Sequence, residues 1–374
     1  AKQAVGALVA APVARAAVGQ ALDGIRDIER LAAKTSSGRV NPRELRALGE
    51  SVSRLPALAA SAEQAGRAGL LGILLDGWDD CGAVTADIQR HLVERPPALL
   101  GDGDAFAPGI DQELDALRAL RDGGKDAIAG IQATERERTG ISSLKVGYNR
   151  VFGYYIEVTN ANRHLIPSDY QRRQTLTGGE RYVTPVLKEY EEKVLGATER
   201  IEQRERELFD ALRQRVSAAI GRLQAAAGRV ATLDVLVSFA QVAESEGYCR
   251  PAIDDGFDLD IVAGRHPVVE RMMPRDRFIP NDVHLPADAR MIIVTGPNLA
   301  GKSTVLRQVG LIVLMAQAGS FVPASRARIG VVDRLFTRVG ASDNLVRGQS
   351  TFMVEMAETS AILHLATRRS LVLL

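Results

Sequence analysis

Residues 291–310 read MIIVTGPNLAGKSTVLRQVG. An apolar run leads into a glycine-bounded turn, then Lys-Ser-Thr, then a second apolar stretch. Gly296 to Ser303 fits the pattern G-x-x-x-x-G-K-[ST] at every fixed position. The glycines let the backbone curl so that successive N–H groups aim at a polyphosphate. A helix that starts at the loop presents its positive end to the same anion. Lys302 supplies a flexible point charge for the outer phosphates. Ser303 supplies a hard oxygen donor of the kind Mg²⁺ prefers. The pattern predicts a strand over IIVT (292–295) and a helix over 303–317. A chance glycine loop is the bland alternative, and the strand–loop–helix context weighs against it.

The surrounding sequence extends this reading. From about 251, short apolar segments (DLDIVAGRHPVVE, MIIVTG, VDRLFTRVG, LVLL) alternate with turns and helical stretches, an α/β pattern around a sheet. Before 140 the texture is helical: IRDIERLAAK and PRELRALGESVSRL space apolar residues by three and four. Asn41-Pro42 reads as a helix cap and first turn. Residues 111–137 read as one long charged helix despite Gly123-Gly124. Between 143 and 167, SLKVGYNRVFGYYIEVTNANRHLIP alternates in strand fashion. The window 141–190 holds six of the seven tyrosines, and seven Lys/Arg face four Asp/Glu, a local excess of +3. From Lys188 a helical pattern runs to about Glu246; within it ATERIEQRERELFDALRQRV (197–216) carries both charge signs around a sparse apolar stripe. A small basic β unit at the tip of two long helices is therefore expected, the alternative being a plain bundle with a decorative hairpin.

Composition bounds the rest. With 374 residues and a net charge of +1, the chain is long enough for two or three domains, and any nucleic-acid surface must be local. Cys81 and Cys249 lie far apart without metal spacing, so no disulfide framework is expected. No unbroken apolar run reaches the roughly 18 residues of a membrane span, and no membrane partner is expected. His266 reads as structural.

TGPNLAGKST (295–304), GSFVPA (319–324), FTRVGASDN (336–344), GQSTFMVEMAET (348–359) and SLVLL (370–374) together resemble the ATPase domain of the MutS DNA mismatch-repair family. GRHPVVE (264–270) and FIPND (278–282) extend the resemblance. LKVGYNRVFGYYIEVT (144–159) and RRQTL (172–176) are similar to that family's DNA clamp, and residues 26–48 to its lever-type helical core. The resemblance implies a multidomain α plus α/β architecture: a helical core and lever (1–117), long helices carrying a small β clamp (118–225, clamp about 141–190), a return to the core and connector (226–250), and the first half of an ABC-type P-loop ATPase domain (251–374). It implies ATP and Mg²⁺ as cofactors, with Ser303 holding the metal. Gly296, Pro297, Asn298, Gly301, Lys302, Ser303 and Thr304 would form the nucleotide loop. Phe278 matches the family's adenine-stacking aromatic, though it could be a core ring at a strand end. Ser350 matches a serine reaching the partner subunit's nucleotide, though it could simply cap a helix. Arg150, Arg172, Arg173 and Arg181 are the candidate contacts to double-stranded DNA, with a solvated charged face as the alternative for each. The tyrosines are expected mainly to pack across strands.

A second acidic position, expected directly after SLVLL, is needed to complete a metal site for hydrolysis. On the family pattern the chain is expected to be a fragment cut before Walker B and inactive as an ATPase alone. None of the nine phenylalanines is followed two residues later by Glu, so the family's mismatch-reading wedge is not expected in these residues. The resemblance further implies a homodimer when whole, downstream mismatch-repair partners, and a bacterial cytoplasmic, nucleoid-associated location. Two alternatives remain at this point: a homologue that holds DNA junctions without sensing mismatches, and a coiled-coil ATPase of chromosome organisation. The latter would place its P-loop before the long helices.

Overall fold

The computed structural model describes residues 1–149, 153–274, 277–297, 301–337 and 351–374, except for the side chains of Lys125 and residues 351–355. Two compact units interleave along the sequence: residues 26–53 with 81–224, and residues 1–25, 54–80 and 225–374.

The first of these carries the β unit. Its axis is the helix Pro185–Ala218, about 51 Å long at 1.5 Å per residue. Thr184 caps it, accepting a hydrogen bond from the Leu187 N–H (3.3 Å), and Pro185 occupies the first turn. It packs on helices Gln112–Asp122, Ile28–Ser36 and Gly82–His91. Inside this packing an ion pair is buried. Arg118 donates from Nη2 to Glu205 Oε1 at 2.8 Å, with side-chain exposures of 9% and 1%. Glu205 Oε1 also accepts the Ala105 N–H (3.0 Å), and Arg118 Nη1 donates to the Phe106 carbonyl (3.1 Å). The predicted helix over 111–137 is two helices, Gln112–Asp122 and Gly124–Thr139. Periodicity runs through Gly123, but glycine costs about 1 kcal/mol in a helix interior, and the chain breaks there.

Helix Pro42–Val52 starts as its sequence predicts, with Pro42 in the first turn. Asn41 Oδ1 accepts the Glu44 N–H (2.8 Å) while Glu44 Oε2 accepts the Asn41 N–H (3.3 Å), a reciprocal capping box. Asn41→Ala is expected to cost about 1 kcal/mol, measurable as a lowered denaturation midpoint. An unchanged midpoint would show that the cap contributes nothing here.

Strands β1 (Lys145–Asn149), β2 (Gly153–Thr159), β3 (Gln171–Thr175) and β4 (Gly179–Val183) form one antiparallel sheet in the order β1-β2-β4-β3. Its inner face buries Ile156 and Val158 of β2 and Tyr182 of β4 with Ile141, Leu144, Tyr170 and Leu187. Ile128 and Ile131 of helix Gly124–Thr139 pack on this cluster. The sheet is thereby tied to both helices that deliver it. Tyr148–Tyr154, Tyr154–Tyr190 and Tyr170–Tyr182 ring pairs lie 5.0, 5.7 and 5.8 Å apart. These tyrosines are packing elements, as their strand spacing predicted.

In the second unit, β5 (Ala252–Asp254), β6 (Leu259–Gly264), β7 (Asn281–Leu285) and β8 (Arg326–Gly330) order as β5-β8-β6-β7. Strands β9 (Leu335–Thr337) and β10 (Leu371–Leu373) pair in parallel. The helix Lys302–Ala318 buries Val309, Ile312, Val313 and Ala316 among Leu259, Ile261, Val322, Ala327, Ile329 and Leu373. This is the helix that the loop motif predicted. The strand predicted over IIVT is not observed. Residues 291–297 have no strand assignment, and Met291, Ile292, Ile293 and Val294 are exposed. A strand exists only through neighbours on its hydrogen-bonding edges, and no ladder to this segment forms among the described residues.

By length and composition alone, helix Ile220–Glu246 could cross a membrane. Apolar core helices of globular proteins share this property, and Leu223, Ala226, Val230, Leu233, Val237 and Ala240 are buried along it. Cys81 is buried and Cys249 half-buried, neither joined in a disulfide, and burial pushes the Cys249 thiol above its ordinary range.

Candidate nucleotide loop and nucleic-acid interface

The loop motif is held at both ends. Gly301 sits at φ 85°, in the left-handed region, as the residue preceding helix Lys302–Ala318; a side chain there would be strained. The first helical hydrogen bond runs from the Val305 N–H to the Gly301 carbonyl (3.0 Å). The N–H groups of Lys302, Ser303 and Thr304 thus belong to the first turn, where helices lack internal acceptors. Lys302 Nζ folds back over the loop, donating to the carbonyls of Gly296 (2.7 Å) and Pro297 (2.8 Å). Ser303 is exposed and Thr304 half-buried. Gly296, Pro297, Gly301, Lys302, Ser303 and Thr304 therefore cluster at one helix end, while Asn298 lies outside the described residues. Phe278 stands half-buried just before β7, and its ring makes no aromatic or cation pair among the described residues. Ser350 lies outside the described residues. Among the described residues no group of three or more His, Cys, Asp or Glu side chains could hold a metal ion. The arrangement fits a nucleotide polyphosphate: a helix start, open glycine backbone and one ammonium at a single point.

His266 has a structural role. Its Nδ1 accepts the N–H groups of Val268 and Val269, each at 3.3 Å. Burial holds its pKa below the ordinary histidine range.

In the β unit the arginines divide by partner. Arg181 lies on the outer face of β4, bound to Glu157 (3.1 Å) and Gln174 Oε1 (3.0 Å) and stacked 4.2 Å from the Tyr155 ring centroid. Tyr155 in turn lies against Gly147. A Cβ at position 147 would come within 2.8 Å of the ring, so only glycine allows this contact. Arg172 reaches Glu180 Oε1 at 3.4 Å with a 60% exposed side chain, and Arg163, which sequence reasoning passed over, reaches the same oxygen at 2.7 Å. The register of β3 on β4 shifts between Arg172 and Gln174. Arg173 is the extra residue of this bulge and is exposed. Bulges re-aim side chains away from the sheet's alternation. The Arg173 guanidinium makes no ion pair or hydrogen bond among the described residues. Arg150 lies outside the described residues. No periodicity signal could reveal the bulge, because alternation assumes an unbroken register.

Glu180 is the buried counter-charge of this edge. The Tyr182 hydroxyl donates to it, and with Arg163 and Arg172 this holds its carboxyl below the ordinary value of 4.5. A depressed folded-state pKa adds stability that is complete above the unfolded value and is lost as pH falls through the folded one. The β unit is therefore expected to loosen on acidification below 4.5. Glu180→Gln should flatten that part of the stability–pH curve, followed by tyrosine fluorescence; an unchanged curve would contradict the assignment.

Two family descriptions match the chain. The family description "MutS family domain IV" matches residues 109–200, and "MutS domain V" matches residues 292–374. The first contains the β unit, the second the glycine-bounded sequence motif of residues 296–303. The chain is 52% identical over 98% of its length to the DNA mismatch repair protein MutS of Anaeromyxobacter dehalogenans (strain 2CP-1 / ATCC BAA-258), covering 43% of that protein. The like-named proteins of Symbiobacterium thermophilum and Myxococcus xanthus are 50% and 54% identical over 100% and 94% of the chain, which covers 42% and 40% of them. These matches define a protein carrying MutS domain IV and MutS domain V sequence. The chain belongs to the MutS family, and it spans less than half the length of the curated relatives it matches.

Proposed function

We propose that this chain carries the DNA-gripping and nucleotide-responsive parts of a DNA mismatch-repair protein. The observation that carries this reading is identity of about one half over 94–100% of the chain to proteins named for that function. The division into core and lever, clamp-bearing helices, connector and ABC-type ATPase half is part of the proposal. The β unit meets duplex DNA through phosphates: Arg172 and Arg173 stand on its exposed β3 edge, and Arg150, outside the described residues, falls between β1 and β2 in sequence. Arg181 acts at one remove, locking Tyr155 and Gln174 into the outer face. Such contacts fix position on the backbone and carry no base information.

At the other site, Gly296, Pro297, Asn298, Gly301, Lys302, Ser303 and Thr304 would hold ATP, with Mg²⁺ on Ser303 and Phe278 against the adenine. Bound Mg–ATP would supply a hydrolysable polyphosphate whose presence alters the loop's charge balance. Lys302 would exchange its two carbonyl acceptors for phosphate oxygens, while the first-turn N–H groups orient the anion. Ser350 would reach the nucleotide of a second copy in a homodimer, linking assembly to nucleotide state. Downstream repair proteins, a cytoplasmic location and ATP hydrolysis by the whole protein complete the reading. The chromosome-organisation and junction-binding alternatives are not favoured by the relatives' names.

A chimera of the M. xanthus relative carrying this chain in place of its matching segment tests the reading. It is expected to lower the spontaneous mutation rate of cells lacking that relative, and the same chimera with Lys302→Ala is expected not to. A stable, folded chimera that leaves the rate elevated would contradict the proposal.

A further inference from the structure

The clamp-bearing unit contains a second cationic feature that neither proposed site uses. A cleft of about 590 Å³ is lined by Arg26, Arg43, Arg46, Ala47, Glu50, Glu94, Arg95 and Pro96. Its four guanidinium groups face only two carboxylates. Arg46 is fixed: Nη1 donates to the Leu92 carbonyl (3.1 Å), Nε donates to Glu50 (3.4 Å), and the side chain is 13% exposed. Arg26, Arg43 and Arg95 are exposed. Among the described residues their guanidinium groups make no hydrogen bond or ion pair. Arg43 and Arg46 lie three apart on helix Pro42–Val52 and so share a face. The backbone beneath Arg26 is anchored by its N–H to Ser51 Oγ (3.1 Å).

Like charges gathered in a concave site repel one another and focus a positive potential on its interior. We infer that this cleft binds a compact polyphosphate anion, with Arg46 as the fixed floor and Arg26, Arg43 and Arg95 closing on the phosphate oxygens. Guanidinium forks match phosphate oxygens two at a time. The volume lies within the range of small-ligand sites. A polyphosphate brings several charges into that volume, whereas an acidic peptide brings one per residue and a duplex is too wide to enter. No aromatic residue lines the cleft to stack a base, so recognition is by the phosphates.

The test is calorimetric titration of the 374-residue chain with inorganic tripolyphosphate, in a Lys302→Ala background so that the nucleotide loop does not contribute. One salt-sensitive binding event is expected to remain. Arg43→Ala with Arg95→Ala in that background is expected to weaken it at least tenfold. Both residues are exposed and unpaired, so the fold, checked by circular dichroism, is expected to be unchanged. Absence of tripolyphosphate binding in the Lys302→Ala chain would overturn the inference, as would equal affinity in the triple variant. So would a result in which the two arginine changes weaken only duplex DNA or a glutamate-rich peptide. Because the readout is independent of the loop and the β unit, failure here leaves the proposed repair function standing.

Discussion

Glu205→Ala is expected to destabilise the unit that carries the β1–β4 sheet by about 3–5 kcal/mol, the usual cost of removing one partner of a buried ion pair. The damage comes less from the lost contact than from what stays behind. Arg118 would remain with a 9% exposed side chain and keep only the Phe106 carbonyl (3.1 Å) and Asp104 (3.3 Å). The Ala105 N–H would lose its acceptor as well. Replacing Glu205 and Arg118 together by leucine should recover most of the loss, since no uncompensated charge is then left inside. Urea denaturation followed by circular dichroism measures both effects. A single-variant loss below about 0.5 kcal/mol, which is the scale of an ordinary surface substitution, would mean that water reaches this pair freely.

The second large effect concerns DNA. Arg172→Ala with Arg173→Ala is expected to lower duplex affinity at least tenfold and to reduce the slope of log K against log salt by about 2, since each phosphate contact contributes about 0.9. Arg173 should carry more of this than Arg172, because Arg172 already shares Glu180 with Arg163. Matched and mismatched duplexes should lose affinity equally, as backbone contacts carry no base information. Fluorescence anisotropy over a salt series measures both quantities. A changed affinity with an unchanged slope would show that these arginines act through folding of the sheet edge rather than on phosphates.

Much of this was legible in the residues because it depends on local chemistry. Asn41-Pro42 specified a helix start, and the structure adds only that Glu44 completes the box. The alternation around Tyr154 and Ile156 specified strands, and the tyrosines fell into ring pairs. The motif ending in Lys302-Ser303 specified the helix that follows it. What escaped depends on partners distant in sequence. The bulge at Arg173 arises from the register of β3 on β4. The commitment of Arg181 to Glu157 and Tyr155 arises from pairing of β2 with β4. The apolar segment before the loop reads as a strand, yet residues 291–297 have no strand assignment, because apolar character does not supply a hydrogen-bonding neighbour. The break at Gly123 was visible as a glycine pair, but the charge pattern across it argued for continuity.

The central claim is that the β unit grips the DNA backbone without reading its sequence. The most direct test is binding of the 374-residue chain to a matched duplex and to the same duplex with one mismatch, at low and moderate salt, with and without Mg–ATP. The account predicts binding that weakens steeply with salt and is the same for the two duplexes. Binding that withstands salt, that prefers the mismatch, or that is absent even at low salt would contradict it.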